Sequence, residues 1–147
     1  MLNRNKMKKW LLAVLWIFLL AILGFPVVLH SYGQWKEDHS GIPDAVSSSY
    51  DGSRCRLSVV ANSDDIRDRE AFAREVVEMC RDNAFHSIRL STDVSGWPNS
   101  LDIAVYLHRR DIGNRGAVMR IRYEPADGSR EHDIKNDPDQ YELIIES

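Results

Sequence analysis

The sequence predicts an α+β protein: one long apolar helix near the N-terminus, then a single small β-α-β-β-β-β domain whose one helix packs on one face of a mixed sheet. Three observations predict it. Trp10 to Leu29 is an unbroken apolar run with no charged residue. Residues 66–83 place apolar side chains at helical spacing. Five later stretches alternate apolar and polar with the period of two that a half-buried strand requires.

The apolar run sets the organisation of the chain. As a helix it rises about 30 Å, enough to cross the hydrocarbon core of a bilayer. It is apolar all round, whereas a buried helix of a soluble protein usually keeps a polar stripe. Arg4, Lys6, Lys8 and Lys9 precede it with no acid among them, and Lys36 is followed at once by Glu37 and Asp38. The positive-inside rule then places residues 1–9 in the cytoplasm, 10–29 in the membrane as a signal anchor, and the rest outside. Trp10 at one end, with Tyr32 and Trp35 at the other, fits the aromatic belts of the two interfaces. A cleaved signal peptide is the competing reading. Ser31-Tyr32-Gly33 is a passable small-x-small triplet, and Gly24 and Pro26 are positioned to break the helix before it. Signal peptides have an apolar core of about 7–15 residues, shorter than this one, so retention is expected. The expected location is the cell membrane, single-pass, with the bilayer as the partner of residues 10–29. The chain has no Asn-x-Ser/Thr acceptor for glycosylation, which leans its origin toward bacteria.

Beyond the run the chain is acidic. The 19 Lys+Arg and 22 Asp+Glu of the whole chain become 15 against 22 once the four leading basic residues are set aside, a net −7. That excludes a general nucleic-acid binder, which is expected to be basic, and a polybasic patch for lipid surfaces. Residues 30–53 read as a polar tether, with Gly33, Gly41, Pro43, Ser47-Ser48-Ser49 and Gly52; Ile42 and Val46 are the points where it can fold back.

The domain is expected over 54–147. Cys55, Leu57, Val59 and Ala61 alternate with Arg56, Ser58 and Val60 in a first strand. Asn62, Ser63, Asp64 and Asp65 are helix-capping types, and a helix from Ile66 to Asn83 follows. Its apolar arc holds Phe72, Ala73, Val76, Val77, Met79, Cys80 and Ala84, with Arg74, Glu75, Glu78 and Arg81 facing away. Ile88 and Leu90 alternate with Arg89 and Ser91 in a short second strand, and 93–100 is a loop. Leu101, Ile103, Val105 and Leu107 alternate with Asp102, Ala104, Tyr106 and His108 in a third. Residues 109–116 turn, Met119, Ile121 and Tyr123 mark a fourth strand, 124–140 is a long polar loop, and Tyr141, Leu143 and Ile145 mark the fifth. The two strands flanking the helix should be parallel through a crossover, and the later connections suit antiparallel hairpins.

Cys55 and Cys80 are the only cysteines, and both fall on core-facing positions. The strand advances roughly 20 Å past Cys55 and the helix returns about as far to Cys80, so the two should be neighbours. They are either a disulfide, which an exterior location permits, or two packed thiols. Two cysteines lack the ligand spacing of a zinc site, and no metal or cofactor is expected. The late loop gathers Asp127, Glu131, His132, Asp133 and Asp137, but Lys135 breaks the calcium-loop spacing and the loop is expected to be solvated. No nucleophile elbow, zinc-protease helix or phosphate-binding loop is present. His30, His39, His86, His108 and His132 are scattered without a paired partner and are read as surface residues.

One surface pattern stands out. The outward sheet face is expected to carry Arg56, Arg89, Tyr106, His108, Arg120 and Arg122. Such a face suits an anionic partner, with a cross-strand charge ladder as the alternative. The expected function is therefore a membrane-anchored, non-enzymatic binding or accessory domain, its partner another envelope or membrane protein. The alternative is a secreted or anchored hydrolase using the His/Asp-bearing loops.

Overall fold

The structure, a computed structural model, describes residues 4–93 and 96–147, with side chains from Lys6 onward; Val94 and Ser95 of the expected 93–100 loop, and the first three residues of the basic N-terminus, lie outside them. Its order is α1 (Arg4–Asp38), β1 (Asp44–Asp51), β2 (Arg54–Val60), α2 (Arg69–Asp82), β3 (Ser100–Tyr106), β4 (Met119–Pro125) and β5 (Tyr141–Glu146), with 3-10 turns at Arg109–Asp111 and Pro138–Gln140. The α+β class is as expected. The chain divides between Glu37 and Asp38 into two compact units.

In the first unit, α1 runs on through Pro26 instead of breaking there. An 18-residue window reaches a mean hydropathy of 2.8 with none of it buried. By length and composition this is a helix able to cross a membrane, a test that a signal sequence passes equally.

The second unit is a five-stranded sheet in the order β1-β2-β3-β4-β5. β2 and β3 run parallel, Cys55 opposite Leu101 and Val59 opposite Val105, with α2 as the connection between them. All other neighbours are antiparallel. Alternation along each central strand gives one apolar face. Cys55, Leu57 and Val59 from β2, Leu101, Ile103 and Val105 from β3, and Met119 and Ile121 from β4 are all buried there, in one cluster with Ala73, Val76, Val77 and Cys80 of α2. Each large aliphatic side chain so buried contributes about 1.5–3 kcal/mol. Asp68 caps α2, its carboxylate accepting from Ala71 N at 2.9 Å, and Asn83 closes it in the left-handed conformation (φ 51°).

Three expectations are corrected. The first concerns the tether: residues 44–51 of the expected 30–53 linker are strand β1, pairing antiparallel with β2 through the turn at Gly52, so the domain starts before residue 54. Pro43 and Ala45 are buried anchors of that strand. The second concerns 88–91, which is not a strand. The Asn83 side-chain amide takes both backbone groups of Leu90, accepting from its N–H at 2.7 Å and donating to its carbonyl at 3.1 Å. That exchange imitates one rung of a ladder and leaves no strand to pair. The order is thus β-β-α-β-β-β, and the parallel partner of β2 is β3. The third concerns the late loop, which is pinned rather than free. Ile134 is fully buried, its N–H bonds Pro98 O, its carbonyl accepts from Arg81, and Tyr141 stacks on Tyr123 with ring centroids 4.6 Å apart.

Candidate functional site

The carboxyl ends of the parallel pair β2 and β3 meet the start of β1 at one end of the sheet, the place where open α/β sheets bind ligands. The local geometry there is tightly set. Ala61 N donates to Tyr106 O at 2.8 Å, holding the ends of β2 and β3 together. Asn62 then takes a left-handed conformation (φ 50°), which an Asn tolerates, and turns the chain. It clamps the segment before β1 from both sides, its carbonyl accepting from Gly41 N at 2.8 Å and its amide donating to Ile42 O at 2.9 Å.

That clamp brings together His39, Asp64 and His108 from three loops. His108 lies two residues beyond the end of β3 and is 3 % exposed. Its backbone is fixed by reciprocal bonds with Asp111, whose carboxylate accepts from His108 N at 3.1 Å and whose N–H donates to His108 O at 3.0 Å. Its Nδ1 lies 2.9 Å from the Asp38 carbonyl oxygen and its Nε2 lies 2.9 Å from Asp64 Oδ1. The half-buried His39 points Nε2 at the same Asp64 oxygen, 3.9 Å away, with the two imidazoles 5.1 Å apart. A surface pocket of about 390 Å³, lined by His39, Ser63, Asp64, Asp65 and Arg67, opens on this cluster. One imidazole and a carboxylate on the pocket wall, with the buried His108 imidazole behind them, can exchange a proton, bind a cation or orient a polar ligand.

The residues expected on the outward face are divided. Arg56, Tyr106, Arg120 and Arg122 do share the face opposite α2. Arg120 makes two bonds to Asp102, at 2.7 and 2.9 Å, and that carboxylate raises its pKa; Arg122 pairs with Glu146 at 2.8 Å and Arg56 with Asp51 at 3.0 Å. The face is a cross-strand charge ladder. Arg89 is not on the sheet: it lies in the connection after α2 and donates to Asn83 O. His108 is not outward either, because the strand ends at Tyr106 and the chain turns the His108 ring toward the Asp38 carbonyl.

Cys55 and Cys80 are both fully buried in the core cluster and are free thiols, so the disulfide is not formed. They are close enough that Cys55 adds to the effect of burial in pushing the Cys80 thiol up. A helix packed on a sheet is held off by a layer of side chains, whereas a disulfide needs Cα atoms within about 7 Å.

His39 and Asp64 escape a reading of spacing, since 44 residues separate Asp64 from His108 and no motif joins them. What the fold and site define is a class: a small α+β domain, behind a long apolar helix, with a His/Asp cluster at the carboxyl ends of its parallel strand pair. Comparison of the chain with protein-family models, with curated proteins and with solved structures finds no match.

Proposed function

We propose that the chain is a single-pass, membrane-anchored binding module with its N-terminus in the cytoplasm and its α+β domain outside. The observation that carries the reading is the apolar helix with its basic flank: charge-free from Trp10 to Leu29, preceded by four cations and followed by a domain of net −7. The charge ladder on the open face of the sheet and the pocket at its end are the surfaces offered to an envelope or membrane partner. The domain acts by binding and carries no reaction of its own in this reading. Mass spectrometry of the protein from a membrane fraction tests the anchor. Peptides covering residues 1–29 are expected, and an N-terminus near Gln34 in the mature protein would overturn it.

A second reading, an anchored hydrolase, is favoured by one observation: the pocket holds His39 beside the Asp64 and Asp65 carboxylates. Turnover of an ester or phosphoester substrate that disappears in Asp64→Asn, with binding of partners intact, would select it over the first.

A further inference from the structure

Both ring nitrogens of His108 face oxygens that can only accept or offer lone pairs. The Asp38 carbonyl can only accept, so the Nδ1 facing it at 2.9 Å carries the hydrogen. A neutral imidazole then has a bare lone pair at Nε2, and 2.9 Å away stands a carboxylate oxygen of Asp64 that also offers only lone pairs. Something positive must lie between them. A proton would serve one such pair, but a third donor converges on the same spot. One nitrogen of His39, an Asp64 oxygen and one nitrogen of His108 all lie within 4.8 Å of one another. Three lone-pair donors from three separate loops, braced by the Asn62 clamp and the His108–Asp111 exchange, are arranged for a cation of higher charge.

We infer that His39, Asp64 and His108 bind one first-row divalent metal ion, zinc or ferrous iron by their donor set. Metal–ligand bonds of about 2.0–2.2 Å in a tetrahedral site set the donors about 3.3–3.5 Å apart. The separations of 2.9 Å and 3.9 Å to Asp64 Oδ1 lie on either side of that range and all three donor atoms lie within 4.8 Å of one another, so a bound ion needs Asp64 to draw back slightly from His108 and His39 to move in. The backbone carbonyl of Asp38 on Nδ1 is the outer partner that metal-ligating histidines characteristically have, fixing tautomer and ring plane. Two imidazoles disfavour calcium and magnesium, which take oxygen ligands. Two histidines and one carboxylate suit zinc, and equally the open iron site built from the same three groups; intrinsic affinity favours zinc. With three protein ligands one position stays open toward the pocket, where Ser63, Asp65 and Arg67 stand ready for a bound water or an anionic ligand. The inference rests on residues 38–111 and is independent of where the domain resides.

Metal titration of the full-length protein in detergent, after chelator treatment, tests it. Zn²⁺ is added in one series and Fe²⁺, without air, in another; Co²⁺ serves as a chromophoric stand-in, and Mg²⁺ and Ca²⁺ as competitors. One ion per chain is expected, with visible Co²⁺ absorption displaced by Zn²⁺ and untouched by excess Mg²⁺ or Ca²⁺. His39→Gln and Asp64→Asn should each weaken binding by at least about 100-fold, since losing a ligand costs no less than losing its outer partner. His39 is outside the buried cluster, so His39→Gln should match the parent in a metal-free thermal melt, and Asp64→Asn, whose amide can still pair with His108 Nε2, should keep a single cooperative transition. His132→Ala, which removes the imidazole lying between Asp127 and Asp137, should bind as the parent does. The tighter of Zn²⁺ and Fe²⁺ identifies the ion. Absence of saturable binding of either, binding indifferent to both His39→Gln and Asp64→Asn, or loss of binding in His132→Ala would each overturn the site.

Discussion

At the scale of single residues, Cys80 shows how burial becomes pH dependence. It is fully buried where α2 meets the sheet, and burial, with Cys55 beside it, pushes its thiol well above the ordinary value of 9.0. Folded chains therefore keep this proton at pH values where unfolded chains lose it, so stability must fall as pH rises. The contribution is fully present below about pH 9 and is lost upward through the folded value. Tyr50, raised by burial to about 12 from an ordinary 10.0, adds a loss of the same sign beginning about one unit higher. Urea unfolding at neutral and alkaline pH should show this decline. Cys80→Ala should cost about 1 kcal/mol at neutral pH from lost packing, and should flatten the first part of the alkaline slope. An equally steep slope in the variant would assign the decline to other groups.

At the scale of elements, the β1–β2 hairpin depends on one backbone conformation. Asp51 pairs with Arg54 across Gly52, whose φ of +64° lies in the left-handed region. Gly52→Val should destabilise the domain by about 1–2 kcal/mol in urea titrations, with Gly52→Asn much closer to the parent. Equal midpoints for Val and Gly would show that β1 pairs without that turn. The same hairpin explains what the sequence concealed. β2, α2, β3, β4 and β5 were legible because each alternates or repeats against a single apolar face, and the neighbouring of Cys55 and Cys80 followed from matched lengths. β1 was not, for Ser48 stands opposite the core-facing Leu57, the register slips between Ala45 and Ser47, and Ala45 is its only fully buried side chain. The Gly52-Ser53 pair was the available signal, a two-residue hairpin turn with glycine at the first central position. Residues 88–91 misled in the opposite direction, since their alternation is real but Asn83 occupies the backbone of Leu90. The His39–Asp64–His108 cluster belongs to three loops, so it emerges only once β1, β2 and β3 are known to lie side by side. His39 could not be placed while its segment was read as tether.

At the scale of the whole molecule, the position of β1 decides where an autonomous domain can begin. The buried core cluster of the second unit is built from residues Ala45 to Ile134 of that unit itself. The domain therefore needs neither lipid nor the apolar helix to bury its own interior. A fragment beginning at Asp38 keeps β1, the Gly41–Asn62 clamp and the Asp38 carbonyl that His108 requires. It should be soluble and monomeric, and should unfold in one cooperative transition. A fragment beginning at Arg54, the boundary that composition alone suggests, would lack β1 and leave the length of β2 as an open edge. Unpaired strand edges recruit other chains, so this shorter fragment should associate or aggregate at concentrations where the longer one stays monomeric. It should also lose the steep part of its denaturant transition, because less apolar surface is buried. Sedimentation velocity and urea titration of the two fragments separate the outcomes. If both were monomeric with equal midpoints, β1 would be an ornament on a four-stranded domain, and residues 38–53 would return to being a tether.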